Sequence, residues 1–434
     1  MKTMNILYCF IIILGVACDK PMPMPTPPPI KEPCEHVFYG RKYCDTTPLL
    51  KNLIWSKPLT LMDTTQRPLG ILPRIVGDYV LLSSKFENSS DREIFYIRNK
   101  YTGELIWRYI PECIEDPLTV PRTVLRIEGD EVIVKAKNRI EIIDLKQKKS
   151  RLCIRPTSGY SFVSGINIIN NYIYVAQTVW GTTDWNAVSY VRFDLNTGES
   201  EHLYTRNKKE DLFSPEGFTM GTFIIKSNGD TILTYALPEY NFIKTYGRVR
   251  ALGLNLRTKQ PEWESRNLDT MNHAVMGFHT SLVNGLAIIT SQRKVHALDP
   301  ITGEVKWEFE IKYEDNAISS CTHYGNYFLF KTNGEGFYCL DATNGALRYR
   351  LTFPMGQIDE LNQYDGIAYF SDDKIYAIDI ATGNKLGEWA NPSAWLYPGD
   401  KFTWSNEGVI LDPSTGYLYA HDGTRAYCMK NPLK

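Results

Sequence analysis

Apolar and polar residues alternate in short runs along most of the chain, and turn residues separate the runs. Leu286 to Thr290 is one such run, and Val295 to Asp299 follows it after a short polar gap. Alternation over about four to eight residues predicts half-buried β-strands rather than helices. The 27 Tyr, 18 Phe and 9 Trp agree, because aromatic side chains favour pleated, partly buried surfaces. The pattern predicts an all-β protein.

One unit of this pattern recurs through the chain. It begins at a Gly, Asn or Asp turn, continues through two apolar runs, and passes a Thr-Gly step to a run with an aromatic residue. Asn284-Gly285, Thr302-Gly303 and Trp307 mark the clearest copy. Successive units begin 40 to 59 residues apart, with a mean of about 48. Their first turn residues are Asp78, Asp130, Asn171, Asp230, Gly285, Asn326, Gly366 and Gly416.

Each unit holds three or four short strands, and a sheet of that size cannot bury both of its faces alone. Four-stranded repeats of this length are typical of β-propellers, in which each sheet packs between two neighbours. Gly in the Thr-Gly step accepts the positive φ that a tight turn needs. Trp107, Trp263, Trp307 and Tyr349 follow these turns, and large flat side chains there can pack between adjacent sheets.

The last unit suggests how the ring closes. From Gly416 onward it contains two strand-like runs and no Trp-bearing last strand, whereas residues 52–59 form an orphan strand that contains Trp55. We expect this N-terminal strand to complete the last blade, which would leave no open edge. The count predicts a single propeller of eight blades over residues 52–434. Seven blades, with the weak unit 130–152 placed elsewhere, and a two-domain β protein are the alternatives.

Residues 1–17 have the pattern of a secretory signal peptide. Lys2 precedes an apolar run from Ile6 to Val16, which is shorter than the roughly 20 residues of a membrane-spanning helix. The segment that ends at Cys18 resembles a bacterial lipobox, in which the cysteine receives lipid, although Gly15 stands where Leu is usual. Ordinary cleavage after Ala17 is the alternative, because Gly-x-Ala also satisfies a small-x-small site.

Residues 18–51 are predicted to form a lipid anchor and a tether. Prolines dominate residues 21–29, so this stretch favours an extended spacer of ~3.1 Å per residue. Cys34 and Cys44 lie close together in a loop-like segment and are the best disulfide candidate. Cys9 and Cys18 belong to targeting, and the other seven of the nine cysteines are odd in number, so at least one thiol stays unpaired in the monomer.

Charge and motifs exclude several function classes. The 48 Lys and Arg balance 49 Asp and Glu, so no bulk electrostatic argument supports nucleic-acid binding. The sequence has no GxSxG, HExxH, P-loop, Rossmann or EF-hand pattern, and no Cys/His set with zinc spacing. The motifs therefore predict no catalytic residue, no metal site and no cofactor.

The segment from Asp299 to Trp307 follows an Asp-x-x-Thr-Gly-x-x-x-Trp pattern and resembles the repeat of the quinoprotein-type, PQQ-like β-propellers. The resemblance extends from about Asp78 to Asn431. Within that superfamily, an exported lipoprotein with only a propeller is similar to the propeller lipoprotein subunit of the bacterial outer-membrane β-barrel assembly machine. The resemblance implies a non-enzymatic scaffold, held by lipid in the outer membrane on its periplasmic or surface side, that binds an envelope protein.

Quinoprotein dehydrogenases share the same repeat and form a competing hypothesis. These dehydrogenases hold a quinone and a calcium ion, and their cofactor site contains a pair of adjacent cysteines beneath the quinone. No two cysteines are adjacent in this chain. A diverged quinone-dependent dehydrogenase is therefore the less favoured alternative.

Two insertions are the candidate binding loops. They lengthen the third unit at residues 176–189 and the fourth at residues 235–246, and both lie between the first two apolar runs of their units. Equivalent positions in neighbouring blades project from the same face, and exposed aromatic loops on a rigid scaffold often bind partners. Binding of a carbohydrate or small ligand is the alternative to binding of a protein partner, and packing of the loops on each other is the structural alternative. Their aromatic residues are Trp180, Trp185, Tyr240 and Phe242.

Other polar and sulfur groups have simpler interpretations. Lys146, Lys148, Lys149 and Arg151 form a basic run where the second unit lacks Thr-Gly. A solvated loop is the first interpretation of this run, and contact with an acidic partner is the alternative. Cys339 and Cys428 occupy the column of Ala297 and Ala377 and are expected to be small buried residues rather than reactive thiols.

Overall fold

Strands account for most of the described residues. A computed structural model of the chain describes residues 37–38, 41–42, 52–58, 69–85, 94–110, 113, 123–128, 130–136, 139–156, 160–179, 187–207, 214–215, 221–241, 246–271, 279–312, 317–353, 361–371, 374–390, 408–422 and 425–433. Every secondary-structure element assigned in these residues is a β-strand. In the same residues, no helix has the length and apolar character that crossing a membrane requires.

Eight sheets of four or more antiparallel strands follow one another, and a short hairpin precedes them. This arrangement confirms the all-β class and the eight-bladed propeller. The hairpin pairs β1 (Val37–Phe38) with β2 (Arg41–Lys42), and β3 (Leu53–Pro58) comes next in the chain.

The first four blades vary most in strand length. Blades 1 and 2 consist of β4 (Leu69–Val76), β5 (Tyr79–Lys85), β6 (Ile94–Asn99), β7 (Leu105–Tyr109), β8 (Thr123–Glu128), β9 (Glu131–Ala136), β10 (Arg139–Asp144) and β11 (Lys149–Ile154). Blade 3 consists of β12 (Tyr160–Ile169), β13 (Tyr172–Val179), β14 (Ala187–Asp194) and β15 (Ser200–Asn207). Blade 4 has six strands, β16 (Ser214–Pro215), β17 (Thr222–Ile225), β18 (Thr231–Asn241), β19 (Tyr246–Asn255), β20 (Gln260–Glu264) and β21 (Asp269–Met271).

The last four blades are more regular. Blades 5 and 6 consist of β22 (Thr280–Val283), β23 (Leu286–Thr290), β24 (Lys294–Leu298), β25 (Val305–Glu310), β26 (Ile318–Tyr324), β27 (Tyr327–Thr332), β28 (Gly336–Asp341) and β29 (Leu347–Thr352). Blades 7 and 8 consist of β30 (Asn362–Tyr364), β31 (Ile367–Ser371), β32 (Lys374–Asp379), β33 (Lys385–Ala390), β34 (Ile410–Leu411), β35 (Tyr417–His421) and β36 (Arg425–Lys430), with β3 as the fourth strand of blade 8.

Strand β3 forms the outer edge of blade 8, beside the last strand of the chain. It runs antiparallel to β36, with Trp55 opposite Cys428 and Lys57 opposite Ala426. One sheet therefore contains strands from both ends of the described chain.

The core is divided into eight apolar clusters, each between two neighbouring blades. Val80 and Tyr96 of blade 1, for example, pack with Tyr419 and Cys428 of blade 8. Tyr369 of blade 7 packs on the other side of blade 8. Each sheet thus buries both of its faces, which a single four-stranded sheet cannot do alone.

The two ends of the ring differ. One end, the turn face, carries two turns of each blade: the turn between the first and second strands and the turn between the third and fourth strands. Hydrogen bonds join the two turns, as from Lys100 N–H to Asp78 O at 2.9 Å. The loop face carries the connections between second and third strands and those between blades. The insertions and the longer connections all begin and end at strand termini on the loop face.

Aromatic residues join neighbouring blades at the turn face. The indole N–H of Trp307 donates to Ala342 O at 3.1 Å in the next blade, and a β-carbon at Gly345 would lie 2.6 Å from its ring. Trp263 makes the same contact with Pro300 O, at 3.1 Å, and with Gly303. Each ring therefore covers the Thr-Gly or Asn-Gly turn of the following blade, which confirms that these residues pack between sheets.

A β-bulge places these rings. In the fourth strand of every blade, the register shifts by one residue just before the docking position. A bulge turns the strand and re-aims the side chain that follows it. The residues at this position are Trp55, Trp107, Leu152, Tyr204, Trp263, Trp307, Tyr349 and Gly387.

Blade 7 fills the position in a different way. Gly387 stands where other blades have a large side chain, and the ring of Trp389 lies over it, 2.3 Å from where a β-carbon would be. Trp389 is buried in the cluster between blades 7 and 8. A tryptophan two residues later thus replaces the missing aromatic group.

Candidate binding surface

The loop face of blades 3 and 4 brackets both candidate insertions. Strands β13 and β14 end and begin there, at Val179 and Ala187, and β18 and β19 do so at Asn241 and Tyr246. The topology thus brings the termini of both insertions to one face in neighbouring blades. Trp180, Trp185 and Phe242 lie outside the described residues, so their part in binding stays a prediction.

The insertion in blade 4 is mostly strand rather than loop. Strands β18 and β19 pair without a break from Ile232 opposite Asn255 to Asn241 opposite Tyr246. Tyr235 is completely buried, and Tyr240 is half-buried. An uninterrupted apolar run favours continued pairing over a free loop, so the expectation of an exposed loop was wrong for residues 235–241 and 246, whereas residues 242–245 lie outside the described residues.

Two short strands widen this end of blade 4. Strand β16 pairs with β18 through Ser214 opposite Tyr240, and β21 pairs with β19 through Thr270 opposite Arg248. The far half of the hairpin therefore has neighbours on both edges. Paired edges protect a projecting hairpin from slipping in register and give it the rigidity of a sheet.

A buried charge network underlies the widened hairpin. The side chain of Glu239 is 1% exposed, and its carboxylate accepts hydrogen bonds from Arg248 Nε at 2.7 Å and Arg250 Nε at 2.9 Å. Arg206, from the last strand of blade 3, reaches the same carboxylate at 3.1 Å and contacts Glu264 at 2.9 Å. Three guanidinium groups surround two carboxylates, so the cluster carries a net charge of +1 and connects blades 3 and 4.

Arg206 is held in its charged form by this network. Burial opposes the charge on Arg206, but hydrogen bonding to Glu264 and the field of Glu239 outweigh it and raise the pKa of Arg206. The ion pairs of Glu239 with Arg206, Arg248 and Arg250 join the far half of the hairpin to blade 3.

Stacked tyrosines extend the contact between these two blades. The rings of Tyr190 and Tyr235 lie parallel with centroids 5.7 Å apart, and Asn167 Nδ2 donates to the Tyr190 hydroxyl at 3.3 Å. Burial raises the pKa of both hydroxyl groups, so both stay protonated near neutral pH. Blades 3 and 4 therefore form a firm platform beneath the loop face.

Cysteines occupy three different settings. Cys113 and Cys153 form a disulfide with Cα atoms 5.8 Å apart, which ties the segment after blade 1 to the outer strand of blade 2. The two cysteines are 40 residues apart in sequence, which is close to one repeat length. Many pairs of residues have this separation, so the sequence did not indicate the pairing. Cys34 and Cys44 lie outside the described residues, so their pairing stays a prediction.

The buried thiols behave as the repeat column indicates. Cys339 and Cys428 are fully buried, and burial raises their pKa to about 11 and about 12. Deprotonation at neutral pH is therefore strongly disfavoured, and the thiols are unreactive in the folded protein.

Metal-ligating side chains are dispersed over the described residues. Among them, no three His, Cys, Asp or Glu side chains lie close enough together to hold a metal ion. The pair of adjacent cysteines is missing from the sequence as well. His279 is engaged in the strands, since its backbone N–H donates to Thr290 Oγ1 at 2.9 Å.

The repeat and its docked aromatic rings can now be compared with known proteins. The family model described as "Outer membrane protein assembly factor BamB" matches residues 291–409. BamB from Moraxella catarrhalis has a similar structure, with a TM-score of 0.52 and 11% identity over 87% of this chain and 99% of that one. The chain is a β-propeller that is similar in part to the PQQ-like BamB family.

Two further structures share the fold. A quinohemoprotein alcohol dehydrogenase from Pseudomonas putida aligns with a TM-score of 0.53 and 12% identity over 89% of this chain and 77% of that one. Sqt1 from Saccharomyces cerevisiae aligns with a TM-score of 0.58 and 11% identity over 88% and 99%. Identities this low establish the propeller fold alone. No curated protein matches the chain in sequence.

Proposed function

We propose that the chain is a non-enzymatic, membrane-tethered scaffold of the bacterial cell envelope that binds another envelope protein through the loop face of blades 3 and 4. The match of residues 291–409 to the BamB family model carries the proposal. The widened hairpin supports the choice of surface, because β16 and β21 hold it rigid and Glu239 anchors it. A rigid, projecting platform loses little entropy on binding.

The envelope location rests on the sequence and on the cysteines. Residues 1–17 would direct export, Cys18 would carry lipid, and residues 18–51 would form the tether. The disulfide between Cys113 and Cys153 supports an exported protein, since such bonds persist in oxidising compartments. Whether Cys18 is lipidated is measured by mass spectrometry of the mature N-terminus.

Affinity isolation from detergent-solubilised envelopes tests the scaffold. The tagged wild-type chain should retain a stoichiometric envelope protein, and W180A/W185A should lose it. The matched control Y101A/Y324A removes two exposed aromatic side chains from the turn face and should retain the partner. Loss of the partner in both variants, or retention in both, would contradict the assignment of the loop face.

A ligand-binding propeller is the second candidate function. The observation in its favour is that the two aromatic insertions start from the same face of adjacent blades. Stacking of a sugar on Trp180 or Trp185 would quench tryptophan fluorescence, and W180A would abolish the change. A flat titration with oligosaccharides, alongside a captured envelope protein, would leave the scaffold as the function.

A further inference from the structure

Three lysines in the third-to-fourth turn of blade 2 differ from the cations in the corresponding turns of other blades. Lys146, Lys148 and Lys149 are exposed, and none of them forms an ion pair with another described residue. Elsewhere the cations in these turns, or at the start of the fourth strands that follow, have carboxylate partners. The pairs are Lys100 with Asp412, Lys259 with Glu201, Lys306 with Glu304, Arg348 with Asp341 and Lys385 with Glu388.

The acidic groups beside these lysines are already engaged. Asp144 Oδ1 accepts the backbone N–H of Gln147 at 2.7 Å, and Glu131 pairs with Arg151. Residues 123–156 contain nine Lys and Arg against five Asp and Glu, a net charge of +4 in a chain whose net charge is −1. Blade 2 therefore presents an excess of positive charge that its own carboxylates do not neutralise.

Backbone conformation sets the third-to-fourth turns of blades 2 and 4 apart from the others. Lys148 has φ of 55° and Lys259 has φ of 59°, at the place where blades 1, 3, 5, 6 and 7 have glycine. A side chain in this left-handed region costs about 1–2 kcal/mol, which glycine would avoid. Trp107, from the fourth strand of blade 1, lies against Tyr109, with ring centroids 4.6 Å apart.

The lysines lie on the same face as the entry of the proposed tether. Fourth strands run from the turn face to the loop face, so β3 begins at the turn face of blade 8. Blade 1 separates it from blade 2, and the turn of blade 1 exposes Tyr101. A tether that enters here would hold this arc of the turn face nearest to the membrane.

We propose that the turn face of blades 8, 1 and 2 rests on an anionic phospholipid surface, with Lys146, Lys148 and Lys149 as the contact residues. The orientation argument rests on the proposed tether. Exposed lysines are hydrated point charges that suit a diffuse layer of lipid phosphates, whereas a specific carboxylate partner favours the planar fork of arginine. Tyr101 has the amphipathic ring that favours a membrane interface.

Vesicle co-sedimentation tests the contact without the lipid anchor. The mature chain with C18S is mixed with vesicles of phosphatidylethanolamine and phosphatidylglycerol, or with neutral phosphatidylcholine vesicles, at low and high salt. The chain with wild-type residues 146–149 should bind the anionic vesicles, and high salt should weaken this binding. K146Q/K148Q/K149Q should weaken it about a hundredfold.

A charge-matched variant separates this site from bulk electrostatics. K259Q/K306Q/K385Q removes three paired lysines from the turns of blades 4, 5 and 7 and should bind as the parent does. K146Q/K149Q, which leaves the strained position 148 unchanged, should weaken binding about twentyfold and guards against misfolding of the triple variant.

Several results would overturn the membrane contact. These are equal losses in both triple variants, equal binding to neutral vesicles, or no binding of the parent chain. Binding of polyglutamate at residues 146–149 in preference to vesicles would assign the lysines to an acidic protein instead. Because the assay uses an unlipidated chain, the scaffold and its anchor are tested separately by partner capture and by the mass of the N-terminus.

Discussion

Lys100 Nζ lies 2.9 Å from Asp412 Oδ2, so an ion pair joins the first blade of the propeller to the last. Both side chains are about 95% buried, with 5% and 4% exposed. The carbonyl of Lys100 also accepts the Trp55 indole N–H at 2.9 Å and the Tyr419 hydroxyl at 3.1 Å. One residue of blade 1 therefore contacts three strands or turns of blade 8, where the ring closes.

The closing ion pair should be essential to stability. Burial opposes the charges, but the mutual hydrogen bond outweighs it, so the pKa of Lys100 is raised and that of Asp412 is lowered. K100M would leave Asp412 buried without its counter-ion and should lower the free energy of unfolding by about 3–5 kcal/mol. Urea denaturation measures the loss.

Two controls identify the cause of that loss. K306M removes an exposed turn pair, Lys306 with Glu304, and should change stability by less than about 1 kcal/mol. K100M/D412L removes both buried charges and should be less destabilised than the sum of its single variants. An additive double variant would show that packing, rather than the ion pair, sets the effect.

Ring docking predicts unequal costs for two glycine substitutions with the same backbone conformation. Gly303 and Gly285 have φ of 75° and 77°, but a β-carbon at Gly303 would lie 2.4 Å from Trp263, whereas nothing lies within 4 Å at Gly285. G285A should cost about 1–2 kcal/mol from backbone strain alone. G303A should cost clearly more, because the ring must also move; similar midpoints in urea would contradict docking as a source of stability.

His296 should make the protein sensitive to acid. Burial lowers its pKa to about 4, against the opposing fields of Glu308 and Asp269, and neither ring nitrogen has a hydrogen-bond partner among the described residues. Between pH ~6.5 and 4, His296 is protonated in the unfolded state but stays neutral in the folded state. Stability should therefore fall as pH falls through this window, by about 3 kcal/mol.

The variant H296L should lose this component of the pH dependence. H202L, which removes an exposed imidazole, should keep it. The change in the free energy of unfolding between pH 7 and pH 4.5 is compared among the three proteins. The contribution of the carboxylates is the same in each and cancels in this comparison. A parallel pH dependence in the wild type and H296L would exclude His296 as its source.

Removal of Glu239 should loosen the widened hairpin. E239Q keeps the shape of the side chain but removes the buried anion that Arg206, Arg248 and Arg250 share, and leaves Glu264 beside Arg206 and Arg250. It should lower the free energy of unfolding by about 3–5 kcal/mol. E304Q, in an exposed turn, is the control. Hydrogen exchange should report the loss first in β18 and β19; protection that is unchanged there would argue against an anchoring role.

The disulfide should account for part of the stability under oxidising conditions. C113S/C153S should lower the free energy of unfolding by about 2–4 kcal/mol. Reductant should destabilise the wild type more than this variant, by a similar amount. C321S, which changes a free cysteine, should respond to reductant as the wild type does; an equal response in C113S/C153S would mean that the two thiols are not paired in solution.

The repeat itself was legible in the sequence, because strands and turns follow from local patterns. Alternation gave the strands, and the Asp299 side chain caps its turn as the motif indicates, accepting the N–H groups of Ile301 and Thr302 at 2.8 and 3.1 Å. Period and composition together specify four-stranded sheets that must stack. The all-β class and a count of eight blades could therefore be predicted from the sequence, which left seven blades as the alternative.

Only the tertiary structure decided which residues meet across blades. The pairing of Cys113 with Cys153, the ion pair of Lys100 with Asp412, and the cluster around Glu239 join residues that no local period relates. Trp389 likewise fills the space above Gly387, although it lies two residues beyond the docking position of the repeat. The space left by the missing side chain, rather than the position in the repeat, determines which ring packs there. The local sequence pattern determines each strand and turn. Burial, charge and the length of side chains between neighbouring sheets determine which residues are in contact.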